Sequence, residues 1–264
     1  MQSHRILLYA VIVAVIGGAL AGCSRGPSEE EVKQAEFQAQ SAELEETYQR
    51  LRQIRDDLAA AQASLEEIEA VPERRHTDEQ KALAEELPAR IQELSTAQDE
   101  TFDQFQSKLA AFLNVGLNDF PASPETLQGL EIYSREAILY ADDAVRKAGD
   151  YKKAIEHVRG AAGYYDAIGA EPYQPLAEHL EYLESWRFIT KDRFDAVRNG
   201  MTKEQVKELA GVPYYQNIKI DERKGVETWL YRRPDEGVAA FYFRIKTGKV
   251  YGKKYDAVKP KVVS

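Results

Sequence analysis

Cys23 is the only cysteine in the chain, and it closes the stretch Leu20-Ala21-Gly22-Cys23 at the end of an apolar run. A catalytic thiol needs a base to activate it, and a structural one needs a second cysteine. The second cysteine is absent, so a disulfide within the chain is excluded. The other groups with catalytic potential do not converge. His76, His157 and His179 fall in or beside different predicted helices, one at a hinge and two on solvated faces, and no His-Glu-x-x-His spacing links them. Neither a Gly-x-Ser-x-Gly elbow nor a phosphate loop occurs. Carboxylates abound, but neighbours such as Asp142 and Asp143 point in different directions from a helix, and most simply keep it soluble. The sequence therefore predicts no catalytic residue, no cofactor, no metal site and no enzymatic activity.

The chemistry left to Cys23 is set by what precedes it. Residues 1–22 carry Arg5 and then a charge-free apolar run from Ile6 to Ala21. At about 16 residues, this run is shorter than the roughly 20 of a relaxed membrane span and has the flanks of a secretory signal. Its Leu-Ala-Gly-Cys end resembles the lipobox of bacterial lipoproteins. The resemblance implies that the Cys23 sulfur carries diacylglycerol, with residues 1–22 as signal peptide and 23–28 as a lipidated linker. Acyl chains contribute about 0.8 kcal/mol per buried methylene, so several together hold a protein stably on a membrane. Ser24 stands where an aspartate would resemble an inner-membrane retention signal, which implies the outer membrane, periplasmic face. The competing readings are an ordinary secretory signal with an incidental cysteine, or an uncleaved anchor.

Charge divides the rest of the chain. From Cys23 to Thr190 there are 17 Lys and Arg against 34 Asp and Glu; from Lys191 to Ser264 there are 17 against 10. The reversal predicts a boundary near residue 190 and opposite fields on either side of it. An exported, tethered chain of this kind is not expected to bind nucleic acid. In the acidic part, Phe37, Leu44, Leu51, Leu58 and Leu65 recur every seven residues, with Tyr48, Ile54, Ala61 and Ile68 beside them. That is one helix with a narrow apolar seam, about 60 Å long over residues 29–70. Pro72 breaks it, Thr77 and Gln80 have capping-box spacing, and Leu83, Leu87, Ile91, Leu94, Phe105, Leu109 and Phe112 form a second stripe. Residues 29–114 are read as a helical hairpin, kinked or restarted at Pro88, with a solvated stalk as the simpler alternative.

Residues 114–126 read as a turn-rich connector, followed by helices over about 125–148, 151–168 and 175–190. The stretch "AGDYKKAIEHVRGAAGYYDAIGAEP" resembles the junction and second helix of a tetratricopeptide repeat, so 124–190 is a repeat-like helical region or an ordinary helical pair. Tyr164 and Tyr165 are read as packing residues. From Phe194 the pattern changes to two short helices and then four period-two segments separated by Gly-containing turns.

Gly200-Met201-Thr202-Lys203-Glu204-Gln205-Val206, Leu209-Ala210-Gly211-Val212-Pro213, Trp229-Leu230-Tyr231, Phe243 and Gly248-Lys249-Val250 follow one another in that order. Over residues 192–257 this resembles the SmpA/OmlA (BamE-like) module of outer-membrane lipoproteins, whose fold is shared with β-lactamase-inhibitory proteins. The resemblance implies a binding module and an envelope protein partner, with outer-membrane assembly machinery as one candidate. The acidic helical region ahead of it has no counterpart in that family.

The expected fold is therefore α+β: a helical hairpin and bundle, then a two-helix, antiparallel-sheet module. Alternation places Trp229, Tyr231, Phe241 and Phe243 on the core side with Val206 and Leu209. Leu230, Arg232, Tyr242 and Arg244 fall on the other side as candidate partner-binding residues, with Lys253 and Lys254 as a solvated rim. Two functions fit: a lipid-anchored scaffold in outer-membrane protein assembly or envelope integrity, or an inhibitor or peptide-binding lipoprotein acting on an envelope enzyme.

Overall fold

The computed structural model describes residues 27–257. The signal segment, Cys23 and Ser24 lie outside the described residues. The seven-residue seam forms one continuous helix, α1 (Glu29–Glu69), and the second stripe forms α2 (Asp78–Asp119). Phe37, Leu44, Leu51 and Leu58 are buried in the seam together with Tyr48, Ala61 and Ile68. Their counterparts on α2 are Leu87, Leu94, Phe105, Leu109 and Phe112. Phe37 stacks on Phe112 with ring centroids 4.6 Å apart, and Tyr48 on Phe105 at 5.4 Å. The hinge is a single 3-10 turn, Glu73–Arg75, closed by the His76 ring. Its Nε2 lies 2.7 Å from the Val71 carbonyl and 3.0 Å from that of Ile68. Thr77 and Gln80 make the reciprocal capping box expected of them.

Two features of the hairpin depart from the sequence reading. α2 does not restart at Pro88 but stays one helix through it, with Leu87, Ile91 and Leu94 packing on the Leu58–Ile68 stretch of α1 on both sides of the lost N–H. The helix also continues past Asn114 to Asp119, leaving only 120–123 as a turn. Gly116 allows this extra turn to pack closely. A Cβ there would lie 2.6 Å from the Thr126 hydroxyl and 3.1 Å from the Phe37 ring, so glycine lets the last turn of α2 press against its neighbours.

Next come α3 (Pro124–Ala148), α4 (Tyr151–Ile168) and α5 (Gln174–Trp186). Side chains of Ser123 and Asp150 cap the N-termini of α3 and α4, and left-handed Gly149 and Gly169 end them. Ala137, Ala141, Ala154 and Ala161 are fully or almost fully buried, and their small size allows α3 and α4 to approach closely. The Ser134 hydroxyl donates to the Leu130 carbonyl at 2.7 Å and lies 3.2 Å from the Tyr165 hydroxyl. One core joins hairpin and bundle, running from Phe37, Leu44 and Leu51 to Leu176 and Leu183.

The remaining chain forms α6 (Lys191–Ala196), α7 (Lys203–Ala210) and strands β1 (Ile218–Asp221), β2 (Val226–Arg232), β3 (Val238–Arg244) and β4 (Lys249–Lys254). The sheet is an antiparallel meander in the order β1-β2-β3-β4. A 3-10 turn, Tyr215–Asn217, leads into β1. Trp229, Tyr231, Phe241, Phe243 and Val250 form the core with Phe194, Val206 and Ala210, as the alternation predicts. Glu227 is buried on that same side. Its carboxylate accepts from the Trp229 indole at 2.7 Å and from the Lys203 ammonium at 2.6 Å, so the charge is paired.

The charge reversal near residue 190 coincides with a packed junction. The Ile189 N–H donates to the Arg232 carbonyl at 2.9 Å, and Ile189 belongs to the sheet core. The Tyr151 hydroxyl accepts from the Val212 N–H at 3.3 Å, while the Tyr231 hydroxyl donates to the Gly211 carbonyl at 2.9 Å. Burial pushes the Tyr151 phenol up to about 12, and that of Tyr231 well above its usual value.

Candidate functional site

The strand register places the predicted binding residues individually. Leu230 faces Ala240, Arg232 faces Val238, Tyr242 faces Thr228 and Arg244 faces Val226, all on the side away from Trp229 and Phe241. Arg244 is exposed and its guanidinium sits 4.1 Å over the Tyr251 ring. Tyr242 is half-buried, 6.2 Å from the same ring. Arg232 lies 5.8 Å over Phe188, in the segment between α5 and α6, and Lys254 is exposed.

Leu230 and Lys253 stand elsewhere than expected. Leu230 is 3% exposed, buried with Val238 and Ala240 in a small second cluster that includes Tyr242 and Ala257, so it is unavailable as a surface anchor. Lys253 pairs with Phe241 and therefore faces the core side. Its ammonium donates to the Phe194 and Asp195 carbonyls at 2.8 and 3.0 Å, capping the end of α6 instead of forming a solvated rim. The reason is a β-bulge. Register shifts between Tyr242 and Phe243, so Tyr242 pairs with Gly252 and Phe243 with Val250, and Tyr251 is the extra residue. Tyr251, next to core-facing Val250, stays on the outer face beside Tyr242 and Arg244, as alternation requires.

A larger concavity lies in the helical part. Between α2, α3 and α4 runs an open groove of about 940 Å³, floored on α2 by Phe102, Phe105, Leu109 and Leu113. α3 supplies Tyr133, Leu139 and Tyr140, and α4 supplies His157 and Tyr164. Leu139, Tyr140 and Tyr164 are 50%, 40% and 41% exposed, a local concentration of uncovered apolar surface. Tyr165 packs in the core as expected, but Tyr164 is part of this rim, edge-on to Tyr133 at 5.6 Å. The seven-residue and 3.6-residue patterns locate buried stripes; they do not say where two such stripes diverge and leave a gap.

Both helical histidines are less solvated than expected. His157 is half-buried in the groove wall with its ring 4.2 Å from that of Tyr140. Burial, and then the Lys153 charge, push its pKa down, favouring the neutral imidazole. His179 lies 3.3 Å from the Asp142 carboxylate on α3. In the groove wall the Arg55 guanidinium clasps the Glu136 carboxylate at 2.6 and 2.9 Å, and Asp143, where the α3 lining stops, pairs with Arg146 and Lys147 of its own helix. With these charges paired, the rest is an apolar trough with polar edges. Such an arrangement can hold a ligand by burial and orient it by its charges; no nucleophile and base lie together in it.

The fold is α+β, an N-terminal helical hairpin and bundle followed by a four-stranded antiparallel sheet. No family model, curated protein or solved structure matches the chain. No described helix is long and apolar enough to cross a membrane.

Proposed function

We propose that this chain is a lipid-anchored periplasmic protein of the outer membrane that binds or scaffolds envelope proteins, in outer-membrane protein assembly or envelope integrity. The observation that carries the reading is Leu20-Ala21-Gly22-Cys23 at the end of a charge-free apolar run. Anchoring through acyl chains on Cys23 gives that stretch its chemistry. The resemblance of residues 192–257 to the SmpA/OmlA module supports the binding role. Exposed Arg244 and Tyr251 beside Tyr242 supply the side-chain types enriched at interface anchors.

Metabolic labelling with palmitate and mass measurement of the processed protein test the anchor. Acyl mass on Cys23 is expected, with loss of both label and processing in Cys23→Ser. Wild-type protein recovered without acyl mass in the soluble periplasmic fraction would overturn it. Pulldown from detergent-solubilised envelopes tests the partner. Barrel-assembly components support the scaffold reading, whereas a single soluble enzyme supports an inhibitor.

A further inference from the structure

We infer that the groove between α2, α3 and α4 is a docking site for a basic, apolar peptide segment of a partner protein. The inference rests on the reading of this chain as a binding protein, and it is independent of the lipid anchor and of the sheet face. From Gln98 to Leu117 the α2 wall is about 28 Å long at 1.5 Å per residue. That length accommodates roughly eight residues of extended chain at about 3.3 Å each. Uncovered Leu139, Tyr140 and Tyr164 provide the apolar contact.

The charge chemistry of the rim selects the occupant. The lining cation Arg55 is engaged by Glu136, and the cations that touch lining residues are engaged by them, Arg146 and Lys147 by Asp143 and Lys153 over the Tyr140 ring at 5.2 Å. The carboxylates Asp99 and Asp103 are exposed and form no ion pair among the described residues. They share a helical stripe with groove-lining Gln106 and Ala110, at positions i, i+4, i+7 and i+11, which places them along the α2 edge. Over residues 37–190 the chain has 15 Lys and Arg against 30 Asp and Glu, so the surrounding field has the same sign. Gln98 and Gln106 make no side-chain hydrogen bond among the described residues and can meet peptide backbone groups.

Gly160 borders the same wall without lining it. It lies inside α4, between His157 and Tyr164 on one face, and a Cβ there would meet nothing within 4 Å. A helix-interior glycine is unfavourable relative to alanine, and its bare backbone leaves room for an approaching chain.

Fluorescence anisotropy with the purified protein and a fluorescein-labelled octapeptide of alternating leucine and lysine tests the assignment. Saturable binding is expected, about tenfold or more tighter than that of the leucine–glutamate octapeptide, and weakened by salt. Gly160→Leu places a side chain between the groove-lining His157 and Tyr164 and should weaken binding by about tenfold or more without lowering the melting temperature. Gly163→Leu, also in open space but not between two groove-lining residues of one helical stripe, should bind as wild type. Asp99→Lys with Asp103→Lys should abolish the preference for the basic peptide. No saturable binding, equal affinity for both peptides, or unchanged affinity in Gly160→Leu overturns the proposal. Displacement of the basic peptide by a short-chain phosphatidylcholine below its micellar concentration, with no effect of the Asp99 and Asp103 changes, also overturns it by reassigning the groove to lipid. All these measurements are made without a membrane, so failure of the groove and failure of the anchor are read separately.

Discussion

The Arg55 guanidinium, on α1, donates two hydrogen bonds to the Glu136 carboxylate of α3, at 2.6 and 2.9 Å across 81 residues of chain. Arg55 also lies 5.5 Å over the Phe102 ring. This forked pair ties the hairpin to the bundle beside the groove, and both side chains are largely withdrawn from water, at 26% and 13% exposure.

Removing either partner leaves the other half-buried and unpaired. Arg55→Met and Glu136→Gln should each cost about 1.5–3 kcal/mol in urea unfolding. The double variant should cost less than the two singles together, and strict additivity would show that the pair is not coupled.

Gly149 and Gly169 form a matched test of the junction. Both have positive φ, +63° and +67°, but a Cβ on Gly149 would lie 2.3 Å from the Pro213 carbonyl oxygen whereas one on Gly169 meets nothing. Alanine at either position carries a left-handed penalty of about 1–2 kcal/mol. Gly149→Ala must in addition displace the segment that enters the sheet module. It is expected to be clearly the more destabilising of the two by thermal melting, and equal losses would mean the junction contact contributes nothing.

Leu51 is 0% exposed in the seam of α1. Leu51→Ala should cost about 2–5 kcal/mol, the range for a fully packed leucine. Leu83→Ala, at a position 40% exposed on α2, should change the urea midpoint little.

His157 gives a pH dependence of defined sign. Its folded pKa is depressed, first by burial and then by Lys153. The unfolded chain therefore takes up this proton first, near the reference value of about 6.5. Stability from this group is present above that value and is lost as pH falls from it through the depressed folded value. His157→Gln should flatten the fall in melting temperature between pH 7 and 5. An unchanged slope would assign the fall to other titrating groups and not to His157.

How much was legible in the sequence differs from element to element. The Phe37–Leu58 seam, the Thr77 cap and the Trp229/Phe241 core face follow from periodicity and local hydrogen bonding, which depend only on near neighbours. Long-range packing determined the rest. Leu87 and Leu94 pack on α1 on both sides of Pro88, and Gly116 lets the last turn of α2 press against Phe37 and Thr126. A bulge, invisible to strict alternation, turned Lys253 toward α6. The groove arises where three helices with individually ordinary stripes diverge, so no single stripe encodes it. The Leu-Ala-Gly-Cys end and the charge reversal near residue 190 were set by sequence alone, because both are properties of covalent order and composition. Which side chains share a surface was decided by the tertiary structure, since contacts across 81 residues, as between Arg55 and Glu136, depend on how the elements pack.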